Sequence, residues 1–488
     1  MKSFAWLGTA VTAVTGAMLA AAISSPLRAQ AQDAPPSQTA AATWTIPSNE
    51  AIHALLAERM RRNGVGAVVG VVEPSGRRVI TFGRSGAADG RALDGDTVFQ
   101  IGSVSKVFAG LLLADMVRRG EVTLDDPAQK YLPPGAKMPQ RGRPITLMDL
   151  STHRSGLPAM PDNFRLEAEP NPVEAYSVDD LWAFLSNYQL TREPGEKYEY
   201  SNLGVSLLGH LLARRAGRDY ETLLRERVLE SLGMRSSAIT VSSAMTARLA
   251  PGHDRYLQPV YVWEMKTLQA SGSLRSTAND MLRFIGAYLG APRSPLADAM
   301  ALQLRTRFPA NGTMALGWAA QKIGDREIYT HEGGKTGYRS AAAFDPRTGT
   351  GIVVLQNART DDRPTALALH LLTGRTLLPA PEPPTPKPVV QLAPELLERY
   401  AGRYRAKDAI VRVLNKRGRL LVSYRTGDDG LEFLATGERD FFYSPGNDEI
   451  AFEVDPSGRV TGMRVYGDGK AAGGSELAPR IDDANSLR

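Results

Sequence analysis

Gln100-Ile101-Gly102-Ser103-Val104-Ser105-Lys106-Val107-Phe108 is the stretch from which the rest of the chain is read. Val107, Leu111, Leu112, Met116 and Val117 follow it at helical spacing, so the pattern predicts a helix that starts at Ser103. Lys106 then stands one turn on, on the same face as Ser103. A hydroxyl at a helix start lies near free backbone N–H groups that stabilise developing negative charge. A partly desolvated amine beside it can take up its proton. Of the twelve lysines, Lys106 alone has a serine three residues before it.

Two further stretches carry polar residues suited to the same chemistry. In Tyr198-Glu199-Tyr200-Ser201-Asn202, Tyr200 can act in proton transfer and the Asn202 amide can hold a carbonyl. In Tyr329-Thr330-His331-Glu332-Gly333-Gly334-Lys335-Thr336-Gly337-Tyr338, a basic residue on a strand is followed by glycines. Such glycines let a substrate backbone approach and leave N–H groups for an oxyanion.

Composition narrows the alternatives. The 488 residues contain no cysteine, which excludes disulfide scaffolds, thiol nucleophiles and thiolate metal sites. The six histidines never fall at metal-ligand spacing, and the G-x-S-x-G and phosphate-loop patterns are absent, so no metal or organic cofactor is implied. The net charge of +6 comes from scattered residues without a basic block, which argues against a nucleic-acid partner.

The chain reads as five segments. Residues 1–31 have a positive start, an uncharged stretch from Phe4 to Ile23 and the small-x-small site Ala29-Gln30-Ala31. They are expected to be a cleaved export signal, with a retained anchor as the alternative. After cleavage no other run is long and apolar enough to span a bilayer, so a soluble periplasmic or secreted protein is expected. Residues 32–46 read as a flexible leader. Residues 47–378 alternate strand and helix patterns with strands at both ends, which predicts an antiparallel sheet built from the two ends and an inserted helical region. Six prolines between Pro379 and Pro388 mark a stiff linker, residues 379–392. Residues 393–482 show six short strand patterns about ten residues apart, a small antiparallel β-barrel.

Ser103-x-x-Lys106, Tyr200-x-Asn202 and the His331 segment, in that order and at long intervals, resemble the boxes S-x-x-K, Y-x-N and [KH]-[TS]-G of the penicillin-recognising serine hydrolases. Leu150-Ser151-Thr152-His153-Arg154-Ser155-Gly156-Leu157-Pro158 and Ser271-Gly272-Ser273-Leu274-Arg275-Ser276-Thr277-Ala278-Asn279-Asp280 resemble two more of that family's segments. The resemblance spans roughly residues 47–378 and points to the class C β-lactamase and D-alanyl-D-alanine carboxypeptidase branch. It implies an α/β (α+β) β-lactamase/DD-peptidase-like fold, here followed by a lipocalin-like β-domain. It implies Ser103, Lys106 and Tyr200 as catalytic groups and Asn202 and His331 as substrate-positioning groups. Gly333 and Gly334 would then line the oxyanion hole, with backbone N–H groups from Ser103 and Gly334. The substrate would be a β-lactam or a cell-wall peptide. A carboxylesterase on the same fold and a non-enzymatic cell-wall sensor are the alternatives.

Lys335-Thr336-Gly337 matches the third box literally, yet His331-Glu332-Gly333 is preferred. Gly337-Tyr338 begins six residues after His331, where the family has a Gly-aromatic pair, and Gly333-Gly334 would make a poor strand leading into Lys335. Lys335→Ala is therefore expected to cost little activity and His331→Ala much. Glu332 departs from the box's usual hydroxyl, and Lys335 or Arg339 would have to compensate for its charge. His153 is expected to anchor its loop by hydrogen bonds.

Overall fold

The computed structural model describes residues 44–481 except 165–171, 263, 291–292, 311, 361, 381–384, 386, 407–409, 424–430, 444–447, 468–469 and 471–473. The predicted export signal and nearly all of the leader lie outside the described residues. The chain divides into two compact units, one being Trp44–Pro386 and the other running from Lys387 onward. Among the described residues no helix is long and apolar enough to cross a membrane.

In the first unit the apolar run of β1 (Gly66–Glu73) turns tightly into β2 (Gly76–Gly83). Further strands are β3 (Phe99–Gln100), β4 (Arg275–Ser276), β5 (Phe308–Ala310), β6 (Gly312–Met314), β7 (Ala319–Ile323), β8 (Arg326–Lys335), β9 (Tyr338–Asp345) and β10 (Thr350–Gln356). Eight of them form one antiparallel sheet in the order β2-β1-β10-β9-β8-β7-β6-β5, so the two ends of the unit do pair, as β1 with β10, one strand in from the β2 edge. The short β3 and β4 pair separately.

The period-2 geometry of a strand sends alternate side chains to opposite faces, and both faces are covered. Ala67, Val69, Val71, Ile352 and Val354 pack with α1 (Asn49–Asn63) and the helix Pro364–Thr373. Val68, Val72, Val353 and Leu355 face the inserted helical region. At the centre of that region lies α2 (Ser105–Arg118), whose residues Ser105 to Met116 are all buried. A helix apolar all round must be buried on every side, so α2 is a fixed post rather than a surface helix.

The second unit is a closed eight-stranded barrel, β11 (Gly402–Arg405) to β18 (Glu476–Ile481). The six strand patterns read from the sequence are the inner members of this meander. Its first and last strands escape that reading because Gly402-Arg403-Tyr404-Arg405 and the Pro479-containing β18 lack apolar alternation. Each contributes a single fully buried side chain, Tyr404 and Ala478, and their mutual pairing closes the barrel. Tyr400 of the preceding helix Pro394–Tyr400 stacks on Phe452 with centroids 4.2 Å apart.

Candidate active site

The chain approaches the site through Gly102, whose φ of 51° lies in the left-handed region that favours glycine. A side chain there would collide with the Gly334 peptide, at 2.8–2.9 Å from its atoms. Ser103 therefore sits in a 3-10 turn, Gly102–Val104, one turn before α2 proper, which opens at Ser105. The Ser105 hydroxyl donates to Gly102 O at 2.7 Å and accepts from Leu274 N at 3.1 Å, fixing the turn.

Lys106 is 1% exposed. Its Nζ lies 3.1 Å from Ser103 Oγ, 2.8 Å from Asn202 Oδ1 and 2.6 Å from the Ser271 carbonyl. Burial, with the Lys335 charge, holds this amine well below the usual lysine range. Once neutral, the amine keeps two hydrogens and one lone pair. Asn202 Oδ1 and Ser271 O can only accept, so they take the two hydrogens. The lone pair then turns to the one partner that owns a proton, the Ser103 hydroxyl.

Tyr200 is close enough to Ser103 for that hydroxyl to act on its phenol, and Lys106 Nζ lies 4.7 Å from the centroid of its ring. Burial pushes the phenol up, against a smaller opposing pull from the neighbouring Ser103 hydroxyl, so Tyr200 stays protonated at neutral pH. His153 holds it from both sides. Glu199 N donates to His153 O at 2.8 Å, and Ser201 N donates to His153 Nδ1 at 3.1 Å. The N–H groups of both neighbours of Tyr200 are thus tied to one residue, whose ring also packs 4.5 Å from the Tyr200 ring. His153 adopts φ 59°, which few non-glycine residues do without compensation. Burial, then the Lys106 and His331 charges, keeps the imidazole neutral, as its acceptor role requires. Ser201 caps the helix Asn202–Ala216 through its hydroxyl, which places Asn202 at the first helical position.

The third segment lies entirely on β8. The reading in which Gly333-Gly334 spoils a strand is corrected here: β8 continues through both glycines to Lys335, paired with β9 throughout. Close approach, not turn formation, calls for them. A Cβ on Gly333 would stand 2.0 Å from Ile101 O. Lys335 and Tyr338 flank a two-residue turn and so exchange hydrogen bonds. By alternation Gly334–Arg339 and Glu332–Ala341 are non-hydrogen-bonded pairs, and the N–H groups of Gly334 and Glu332 point away from β9. On that side β7 ends opposite Thr330, so no described strand pairs with residues 331–335 there. The Gly334 N–H thus lies on an unpaired edge beside the Gly102–Ser103 turn.

His331, Gly333 and Lys335 share the inner face of β8. His331 Nδ1 donates to Glu332 O at 2.8 Å, leaving Nε2 as an acceptor. Burial, then the Lys106 charge, pushes this imidazole down to about 3, so it is neutral and cannot serve as the cation for a carboxylate. Lys335 is buried at the far end of the strand, pushed down to about 7 by burial. The charges of Glu264 and Glu174 pull it up, and that of Arg275 lowers it. On the outer face, Arg339 stands opposite Gly334, donates from Nε to Thr360 O at 3.1 Å and pairs with Glu332 at 3.6 Å.

Ser103, Lys106, Tyr200 and Asn202 therefore converge, with Gly334 against them. His331 and Lys335, on the same face of β8, are both close enough to couple electrostatically to Lys106, whereas Arg339 lies on the other face. Sequence reasoning missed the Ser271 carbonyl as the second acceptor for Lys106, because a backbone oxygen leaves no mark on residue type.

Residues 52–375 match the Beta-lactamase family model. The chain is 33% identical over 280 residues to the D-alanyl-D-alanine-carboxypeptidase/endopeptidase AmpH of Escherichia coli strain K12, covering 53% of this chain and 71% of that protein. It is 24% identical over 341 residues to a beta-lactamase of Pseudomonas fluorescens, covering 63% of this chain and 92% of that one. In structure it resembles a beta-lactamase/D-alanine carboxypeptidase from Pseudomonas syringae, with a TM-score of 0.60 at 21% identity over 67% of this chain and 99% of that one. Fold and comparisons together define the class, a serine hydrolase. The chain belongs to the beta-lactamase family, among the penicillin-recognising serine hydrolases.

Proposed function

We propose that this protein hydrolyses amide bonds through an acyl-enzyme on Ser103, with β-lactams or D-Ala-D-Ala cell-wall peptides as substrates. The observation that carries the proposal is the setting of Lys106, whose two carbonyl acceptors leave the lone pair of the neutral amine for the Ser103 hydroxyl. Lys106 takes the Ser103 proton as Oγ bonds to the substrate carbonyl carbon. The developing oxyanion is held by the N–H groups of Ser103 and Gly334. Tyr200, protonated and next to Ser103, passes a proton to the departing nitrogen as the C–N bond breaks and recovers one from Lys106. Water then attacks the ester, one proton returns to Ser103 Oγ, and the acid is released. Asn202 holds the acyl-side amide, and His331 shapes the site as a neutral acceptor. The relatives, a carboxypeptidase/endopeptidase and a beta-lactamase, support this substrate range. Residues 1–31, read as an export signal, support action outside the cytoplasm, where such peptides are found.

Intact-mass analysis after exposure to a penicillin tests the reading. One acyl adduct per chain is expected, mapping to the peptide that contains Ser103 and absent in Ser103→Ala. An undiminished adduct in that variant would sink the assignment.

A further inference from the structure

Within this acyl-enzyme reading, on which the inference rests, we propose that Glu332, paired with Arg339, makes the site select leaving groups without a free carboxylate. Amides, esters and internal peptide bonds are then preferred over a terminal amino acid.

Strand β8 passes Ser103 with a definite direction. At its His331 end stands His153, whose charge state feels both His331 and Lys106 and whose ring lies 4.5 Å from that of Tyr200. At its Lys335 end stand Arg275, Glu264 and Glu174. The departing nitrogen must receive its proton from the Tyr200–Lys106 pair, so the leaving group lies at the His331–Glu332 end and the acyl half at the Lys335 end.

The charges at the leaving-group end are set by Glu332, Arg339, His331 and Lys106. Glu332 projects from the outer face of β8, its side chain 29% exposed. Arg339 is committed to Glu332 and to Thr360 O, and lies close to Gly334, 3.4 Å from the place a Cβ would take. His331 is neutral and offers a lone pair. Lys106 is buried between its two carbonyl acceptors and the Ser103 hydroxyl. Among these four groups a substrate carboxylate meets one carboxylate, while Arg339 and Lys106 are already engaged; a neutral terminus escapes that repulsion.

Two peptides that differ only at the C-terminus test this, acyl-D-Ala-D-Ala as the free acid and as its amide. The native enzyme should favour the amide in kcat/KM by about tenfold, a ratio that narrows as salt screens the charges. Glu332→Gln, which removes the charge at constant shape, and Glu332→Thr should bring the ratio to about 2 or below by lowering KM for the free acid. Preference of the native enzyme for the free acid would overturn the proposal whether or not the variants fold. So would an unchanged ratio in a folded Glu332→Gln protein. Failure to cleave either peptide, with no adduct on Ser103, would instead remove the acyl-enzyme reading beneath it.

Discussion

Lys106 illustrates how a residue's chemistry is decided by what surrounds it. On a solvated helix it would be a cation. Here burial and the nearby Lys335 favour the neutral amine, and the acceptor count tells the lone pair where to point. Acylation should therefore fall as pH drops through the depressed Lys106 value, by about one log unit per pH unit on the acid limb. Lys335 carries its charge below about 7. Lys335→Met removes that like charge, so the midpoint of the limb should move upward. Single-turnover acylation measured across pH checks both statements, and a flat acid side would show that Lys106 is not the titrating base. Ser103, Lys106, Tyr200 and Asn202 were legible as residue types at fixed spacing. That His331 is neutral, and that Arg339 is tied to Glu332 rather than poised for substrate, was not. Protonation and pairing depend on burial and on neighbours distant in sequence.

At the scale of the element, β8 does the positioning. Its first half is an ordinary central strand between β7 and β9. Its second half loses its β7 neighbour after Thr330, which leaves one edge beside the Ser103 turn. Glycines 333 and 334 read as a strand breaker because glycine weakens isolated strands. In the sheet the β9 ladder holds them, and their missing side chains let the Ile101–Ser103 backbone approach. Gly333→Ala should force that backbone aside, since the added Cβ would stand 2.0 Å from Ile101 O and 2.2 Å from Ser340 Oγ. A loss of about 1–3 kcal/mol is expected from overpacking alone. A larger proportional loss of acylation is expected too, because Ser103 and the Gly334 N–H would separate. Thermal unfolding and acylation rate, measured on the same sample, test this; unchanged values for both would refute the close-approach account.

Over the whole molecule, the two compact units each have their own apolar core. One is the sheet packed on both faces, the other the barrel interior around Tyr404, Phe433, Phe452 and Met463. Met463 is fully buried, so Met463→Ala should cost about 2–5 kcal/mol in the barrel. Two transitions should be resolved by calorimetry, with only the barrel's moving and the penicillin adduct on Ser103 still forming. A shift of both transitions would contradict separate cores.

The amino-acid sequence by itself determined the order of motifs, the mixed architecture of the first unit and the β-meander of the second. Hydrophobic period and residue spacing are local and survive in one dimension. Only the tertiary structure decided that the third box lies on one unbroken strand and that a backbone carbonyl completes the Lys106 setting. It alone decided, too, that His153 holds the N–H groups of both residues beside Tyr200. Each of these depends on atoms brought together from distant segments, where burial and hydrogen-bond geometry, rather than residue type, set the outcome.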